Sequence, residues 1–119
     1  MAAIHNITID QGSDYVLDLT LWQDDSKTIP VDLTDCTSEM MVRRDYDKPP
    51  VIVASTTNGK ISLTALTGKV VVQLLPSDTS SIRFAGESLD CVYDLEITYP
   101  GKIKRELQGT CVITREVTR

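Results

Sequence analysis

CVYDLEITYPGKIKRELQGTCVIT, residues 91–114, decides the fold. Cys91, Tyr93, Leu95, Ile97 and Tyr99 alternate with Val92, Asp94, Glu96 and Thr98. After Pro100-Gly101 the rhythm resumes at Ile103, Arg105, Leu107, Gly109, Cys111 and Ile113. A period of two means strands with one buried and one wet face. Pro-Gly between two such runs reads as a hairpin turn. Antiparallel register around that turn pairs residues whose numbers add to about 201 or 202, which sets Cys91 opposite Cys111.

Outward from this hairpin the same pattern recurs. Tyr15, Leu17, Leu19 and Leu21 alternate with Asp14, Val16, Asp18 and Thr20. Ser38, Met40 and Val42 alternate with Glu39, Met41 and Arg43. Residues 4–10 form a first strand with Ile7 and Ile9 on one face, and Val51–Ser55, Ile61–Leu63 and Lys69–Leu75 supply further strands. Asn58-Gly59 is a turn signal. Asp24 to Lys27 reads as a hairpin loop, and Pro30 belongs at an edge because it cannot donate to a ladder. Leu33 is expected to plug the core from the following loop. Residues 77–82 read as one short helical turn, with Ser77 or Asp78 available as its cap. Thr, Val and Ile number 14, 11 and 10, and this β-branched bias favours strands. The expectation is an all-β, antiparallel, immunoglobulin-like sandwich of about seven to nine strands. The expected core is Leu17, Leu19, Leu21, Met40, Val42, Val70, Val72, Leu74, Tyr93, Leu95, Ile97 and Ile113.

The 119 residues fit a single domain spanning 1–119, with 1–3 and 116–119 as flexible or partner-bound ends. The net charge of −5 argues against nucleic acid, whose phosphates select clustered Lys and Arg. No stretch approaches the ~20 apolar residues that span a bilayer, so no membrane is expected. The N-terminus MAAIHNITIDQG lacks the basic start and apolar run of a secretory signal. Synthesis in a cytoplasm is expected, with Cys36, Cys91 and Cys111 as free thiols.

Candidate chemistry is sparse. His5 is the one histidine and reads as a solvated side chain. Asp24, Asp25, Asp32 and Asp35 match no calcium-loop spacing and read as turn residues. No serine has a base partner, and no glycine-rich phosphate loop occurs. The expectation is a protein that is not an enzyme, with no catalytic, cofactor-binding or metal-binding residues and no cofactor. Partner contact is the remaining role. Its candidates are Trp22, Arg43, Arg44, Tyr46, Arg115 and Arg119, since Trp, Tyr and Arg dominate interface hot spots.

The order of motifs carries a resemblance. ITIDQGSDYVLDLTLW, IPVDLTDCTSEMMVRR, NGKISL, GKVVVQLLPSDTSSI, CVYDLEIT and RELQGTCVITREVTR follow one another from Ile7 to Arg119. In this order they resemble small bacteriophage proteins, namely the immunoglobulin-like N-terminal domain of phage baseplate upper proteins and related stand-alone virion proteins. The resemblance implies a structural part of a virion that joins components of a tail, baseplate, portal-proximal region or capsid and is repeated by particle symmetry as a homo-oligomer. It brings no catalytic residues. The chain stops where that domain stops, so the expected role is an adaptor without a receptor-binding stalk. A capsid decoration protein on the phage head is the alternative. A glycan-binding module is a third reading, set back by a total of one Phe, four Tyr and one Trp.

Overall fold

The computed structural model describes residues 3–24 and 26–117. Among these, nine strands form two packed sheets: β1 (Ala3–Ile4), β2 (Ile7–Asp10), β3 (Tyr15–Thr20), β4 (Thr37–Arg43), β5 (Pro50–Ser55), β6 (Ile61–Thr64), β7 (Lys69–Leu74), β8 (Ser88–Tyr99) and β9 (Lys102–Thr114). The larger sheet has six strands in the order β1-β9-β8-β4-β5, with β2 also paired to β9. The smaller sheet runs β3-β7-β6. The result is the all-β sandwich that the alternation predicts.

The closing hairpin adopts the expected register. Cys91 faces Cys111, and Leu95 faces Leu107. Between Leu95 and Glu96 the register shifts, so that Glu96 faces Arg105 and Glu106 is the extra residue. Such a bulge turns the β9 side chains between it and the hairpin turn to the opposite face. Leu107, Cys111 and Ile113 are therefore buried, whereas Ile103 and Arg105, in the same numerical phase, stand in solvent. Tyr99 stays partly buried beyond the bulge, and its hydroxyl donates to the Glu106 carboxylate.

The first strand departs from expectation. It breaks at His5–Asn6 into β1 and β2, and both run parallel to β9, from Ala3 opposite Leu107 to Asp10 opposite Thr114. Sequence-adjacent strands joined by a tight turn must be antiparallel, but β1 and β9 lie at opposite ends of the chain and have no such constraint. The break falls at Gly109. A Cβ added there would lie 2.5 Å from the His5 carbonyl oxygen and 2.8 Å from Asn6 Oδ1. Only a residue without a side chain lets the crossing backbone approach so closely.

The core lies between the sheets. Ile9, Met40, Val42, Val70, Val72, Leu74, Leu95, Ile97, Cys111 and Ile113 are fully buried, Tyr93 nearly so, and Leu33 plugs the core from its loop. Leu19 and Leu21 are half-buried, a correction to the expected core. β3 is the outer strand of the small sheet and Leu21 lies past its end, so both lack neighbours on one side.

The corners are fastened by polar groups. Gln11, at the corner between β2 and β3, is buried. Its amide donates to the carbonyls of Thr79 (3.1 Å) and Ile82 (2.9 Å) and its oxygen accepts the Glu116 N–H (3.1 Å). It ties the β2–β3 corner to the helical turn α1 (Pro76–Ser80) and to the chain's exit. Asp78 caps α1 by accepting the Leu75 N–H at 2.7 Å and pairs with Lys60 at 2.8 Å. Asn58 accepts N–H groups from Ser55 and Lys60 and donates to the Val53 carbonyl, which covers part of the β5 edge.

Cys36, Cys91 and Cys111 are free thiols. The Arg115 N–H donates to Glu87 O across this hairpin, while Gln108 O turns the other way to accept from His5. Odd-numbered residues of β9 in this region thus point their amides at β8, which makes Cys91–Cys111 a hydrogen-bonded pair. Side chains in such pairs stand farther apart than in the non-hydrogen-bonded kind. Burial, and next the adjacent Cys91, push the Cys111 thiol up to about 12. Denaturing thiol titration should therefore find three reactive groups per chain. In the native protein at mildly alkaline pH, Cys111 should react last, since the thiolate is the nucleophile. The same shift sets a pH dependence. Above pH 9, the ordinary value, an unfolded chain sheds the Cys111 proton while the native chain keeps it. Stability should then fall from pH 9 until the native thiol ionises near pH 12. Equilibrium unfolding across that range, with Cys111→Ala as reference, checks this.

Candidate contact surface

The exposed face of the six-stranded sheet holds a shallow groove of about 520 Å³. Its walls follow from the strand phase. Ser38, Met40 and Val42 face the core, so Glu39, Met41 and Arg43 face outward. On β8 the outward set is Val92, Asp94 and Glu96, and on β9 it is Gln108 and Thr110, joined past the bulge by Arg105. The crossing at His5–Asn6 brings Ile4 and Asn6 to one side, and the 44–49 loop brings Tyr46.

Two features distinguish this face from an ordinary solvated one. Met41 and Val92 occupy positions where the alternation otherwise puts polar residues, and each is half-buried by its neighbours. Ile4 and Tyr46 are 75% and 79% exposed, so large apolar groups stand at the rim with little to cover them. Around them lie cations and carboxylates that hold one another. Arg105 pairs with Asp94 at 3.3 Å and donates to Gln108 Oε1 at 3.1 Å. Arg43 donates to the Lys48 carbonyl at 2.6 Å and lies 3.3 Å from the Met41 sulfur. These are exposed interactions of little energetic weight, about 0–1 kcal/mol each, and both guanidinium groups can turn to a partner.

Tyr93 supports the groove from below. Its ring is buried, and its hydroxyl donates to the His5 carbonyl oxygen. Burial, and secondarily Tyr15 and Cys111, hold its phenol well above the usual tyrosine range, so it stays protonated and keeps donating. The imidazole of His5 is exposed while its backbone makes these links.

The six contact candidates do not converge. Arg43 and Tyr46 line the groove. Arg44 turns aside, and its guanidinium donates to the Arg83 carbonyl. Trp22 lies beyond β3, bridged to Pro30. Arg115 lines a separate hollow with Gly86, Glu87, Glu116 and Val117. Arg119 lies outside the described residues. Ile4, Met41, Val92 and Arg105 were missed as contact candidates. Met41 and Val92 do carry a sequence signal, an apolar residue in the outward phase of a strand. Ile4 and Arg105 carry none, because a chain crossing and a bulge place them.

The acidic residues are turn residues, as their types suggest. Asp24 accepts the N–H groups of Thr28 (3.0 Å) and Ile29 (3.1 Å) together with the Thr28 hydroxyl, and these bonds, the hydroxyl first, hold its carboxyl below the usual range. Asp32 accepts from the Thr34 hydroxyl at 2.6 Å and N–H at 2.9 Å, with the same effect. Asp25 lies outside the described residues. Among the described residues no three His, Cys, Asp or Glu side chains cluster as a metal site would require, and no helix is long and apolar enough to cross a membrane. No protein-family model matches the chain, and no curated protein matches it significantly.

Proposed function

We propose that this protein is a structural part of a bacteriophage virion, a tail or baseplate adaptor that acts by protein–protein contact through the open face of its six-stranded sheet. One observation carries the contact role: Ile4, Met41, Tyr46 and Val92 gather on a sheet face that faces solvent, ringed by Arg43, Arg105, Glu39 and Asp94. Apolar and aromatic anchors inside a charged rim are the composition of an interface. The virion assignment draws on the order of motifs from Ile7 to Arg119, and the rigid two-sheet body suits a part repeated by symmetry.

The test is the composition of purified particles. The full-length chain should be detected in virions by mass spectrometry, and its absence there would end the virion reading. Copy number then separates the positions: a few tens of copies or fewer fit a tail, and hundreds fit a capsid decoration role. The contact face has its own test. Met41→Glu combined with Tyr46→Ala should cut incorporation about tenfold or more, since two hot-spot truncations each remove at least ~1 kcal/mol of contact energy. A melting curve checks that the variant stays folded, with a modest loss expected because Met41 is half-buried and stands opposite Asp94. Wild-type incorporation of that variant would refute the face as the contact surface.

A further inference from the structure

The end of the sandwich away from the 44–49 loop carries a second surface of different character. It is built from the turn of the β8–β9 hairpin, the segments 21–24 and 26–36, and the 3-10 turn Ala65–Thr67. Hydrogen bonds join these pieces: Leu21 N–H to Gly68 O (2.8 Å), Val31 N–H to Leu21 O (2.9 Å), Leu33 N–H to Ala65 O (2.9 Å) and Cys36 N–H to Leu33 O (3.1 Å). The segment then enters β4 at Thr37, opposite Thr98, one residue before Tyr99 and the hairpin turn.

Four large apolar side chains are exposed on this end: Trp22 at 38%, Ile29 at 52%, Ile103 at 67% and Leu66 at 77%. Charge is sorted into two strips beside them. The hairpin arm carries Lys102 and Lys104, with Glu106 as the acid among them, on a chain whose net charge is −5. The loops carry Asp24, Asp32 and Asp35, with Lys27 as the cation among them. The arm's own charge contacts are loose: Lys104 is 3.5 Å from Glu106, and Lys102 stands 5.2 Å above the Tyr99 ring. Such exposed contacts yield readily to a partner.

We propose that this end is a self-association surface, in which the basic arm of one copy lies against the acidic loops of a second copy and the reverse contact forms at the same time. A two-fold axis through a surface that holds both signs side by side sets each strip against its opposite twice. The exposed Ile103, Leu66 and Trp22 supply the apolar area that a charged contact alone lacks. The surface is distinct from the groove face, so the proposal stands or falls independently of the virion role.

The experiment is sedimentation of the purified full-length chain, with two variants and their mixture. The wild type should reach twice the 13.2 kDa chain mass at low ionic strength. It should dissociate in about 1 M salt, where the Debye length is ~3 Å. Lys102→Glu with Lys104→Glu should be monomeric, because acid then meets acid at both contacts. Asp32→Asn with Asp35→Lys should be monomeric for the opposite reason, and the asparagine keeps an oxygen for the Thr34 turn. An equal mixture of the two variants should recover the dimer, since both contacts again join opposite charges. Thermal melting of each variant checks that it folds, and the salt response of the wild type tests the charge contact without any substitution. A wild type that stays monomeric at ~1 mM would overturn the proposal. So would a dimer indifferent to salt and to the arm variant, a folded pair that fails to recover the dimer, or oligomers that keep growing with concentration.

Discussion

Replacing Leu95 by Ala is expected to cost ~2–5 kcal/mol of folding stability, roughly double the cost of the same change at Leu19. The two residues are similar in sequence, each a leucine in the inward phase of an alternating strand. Leu95 is fully buried on β8, a central strand with β4 on one side and β9 on the other. Removing its side chain leaves a cavity whose walls belong to both sheets and cannot collapse without moving a strand. Leu19 is half-buried on the outer strand β3. Its truncation opens a dent that water fills and that its neighbours close in part, so about 1–2 kcal/mol is expected. Urea unfolding of both variants gives the comparison. Equal losses would mean that β3 is covered as completely as β8 is, contrary to the sheet order.

Gly109→Val is expected to be nearly as damaging, at about 3 kcal/mol, through addition of atoms and not their removal. Its Cβ would fall on the His5 carbonyl oxygen and on Asn6 Oδ1, and neither can yield alone. The His5 N–H is held by Gln108 O at 2.9 Å, Asn6 Oδ1 accepts from Thr110 N–H at 3.0 Å, and the His5 carbonyl accepts from the buried Tyr93 hydroxyl. Moving the crossing aside breaks these links and leaves a phenol in the core without its acceptor, a penalty of ~1–3 kcal/mol by itself. β1 should then leave the sheet, carrying Ile4 away from the groove. A lowered denaturant midpoint, with new amide exchange at His5 and Thr110, is the expected reading. An unchanged midpoint would show that the crossing backbone has room that its contacts with Gly109 deny.

These two sites mark the boundary between what residue order dictates and what the assembled sandwich decides. Alternation at Tyr93, Leu95 and Ile97, and at Met40 and Val42, is a local property of a pleated chain. With one face to bury, it determined the all-β class and most of the core, and Pro100-Gly101 determined the Cys91–Cys111 register. Asp24, Asp32 and Asn58 were readable as turn residues because each satisfies backbone groups a few positions away. The parallel docking of β1 and β2 on β9 joins residues about a hundred positions apart, and no local pattern encodes that choice. The bulge at Glu106 reverses the phase of Ile103 and Arg105 without any change in their alternation. The partial burial of Leu19 depends on β3 being an outer strand, which is a fact about sheet order. The groove is of this second kind. Arg43 and Tyr46 were visible as residue types suited to contact, but they become one surface with Ile4, Val92 and Arg105 only when a chain crossing, a bulge and three strands meet. Spacing along a chain reports what a residue does to its neighbours in sequence, whereas a contact face is composed of residues whose separation in sequence is unrelated to their distance in space.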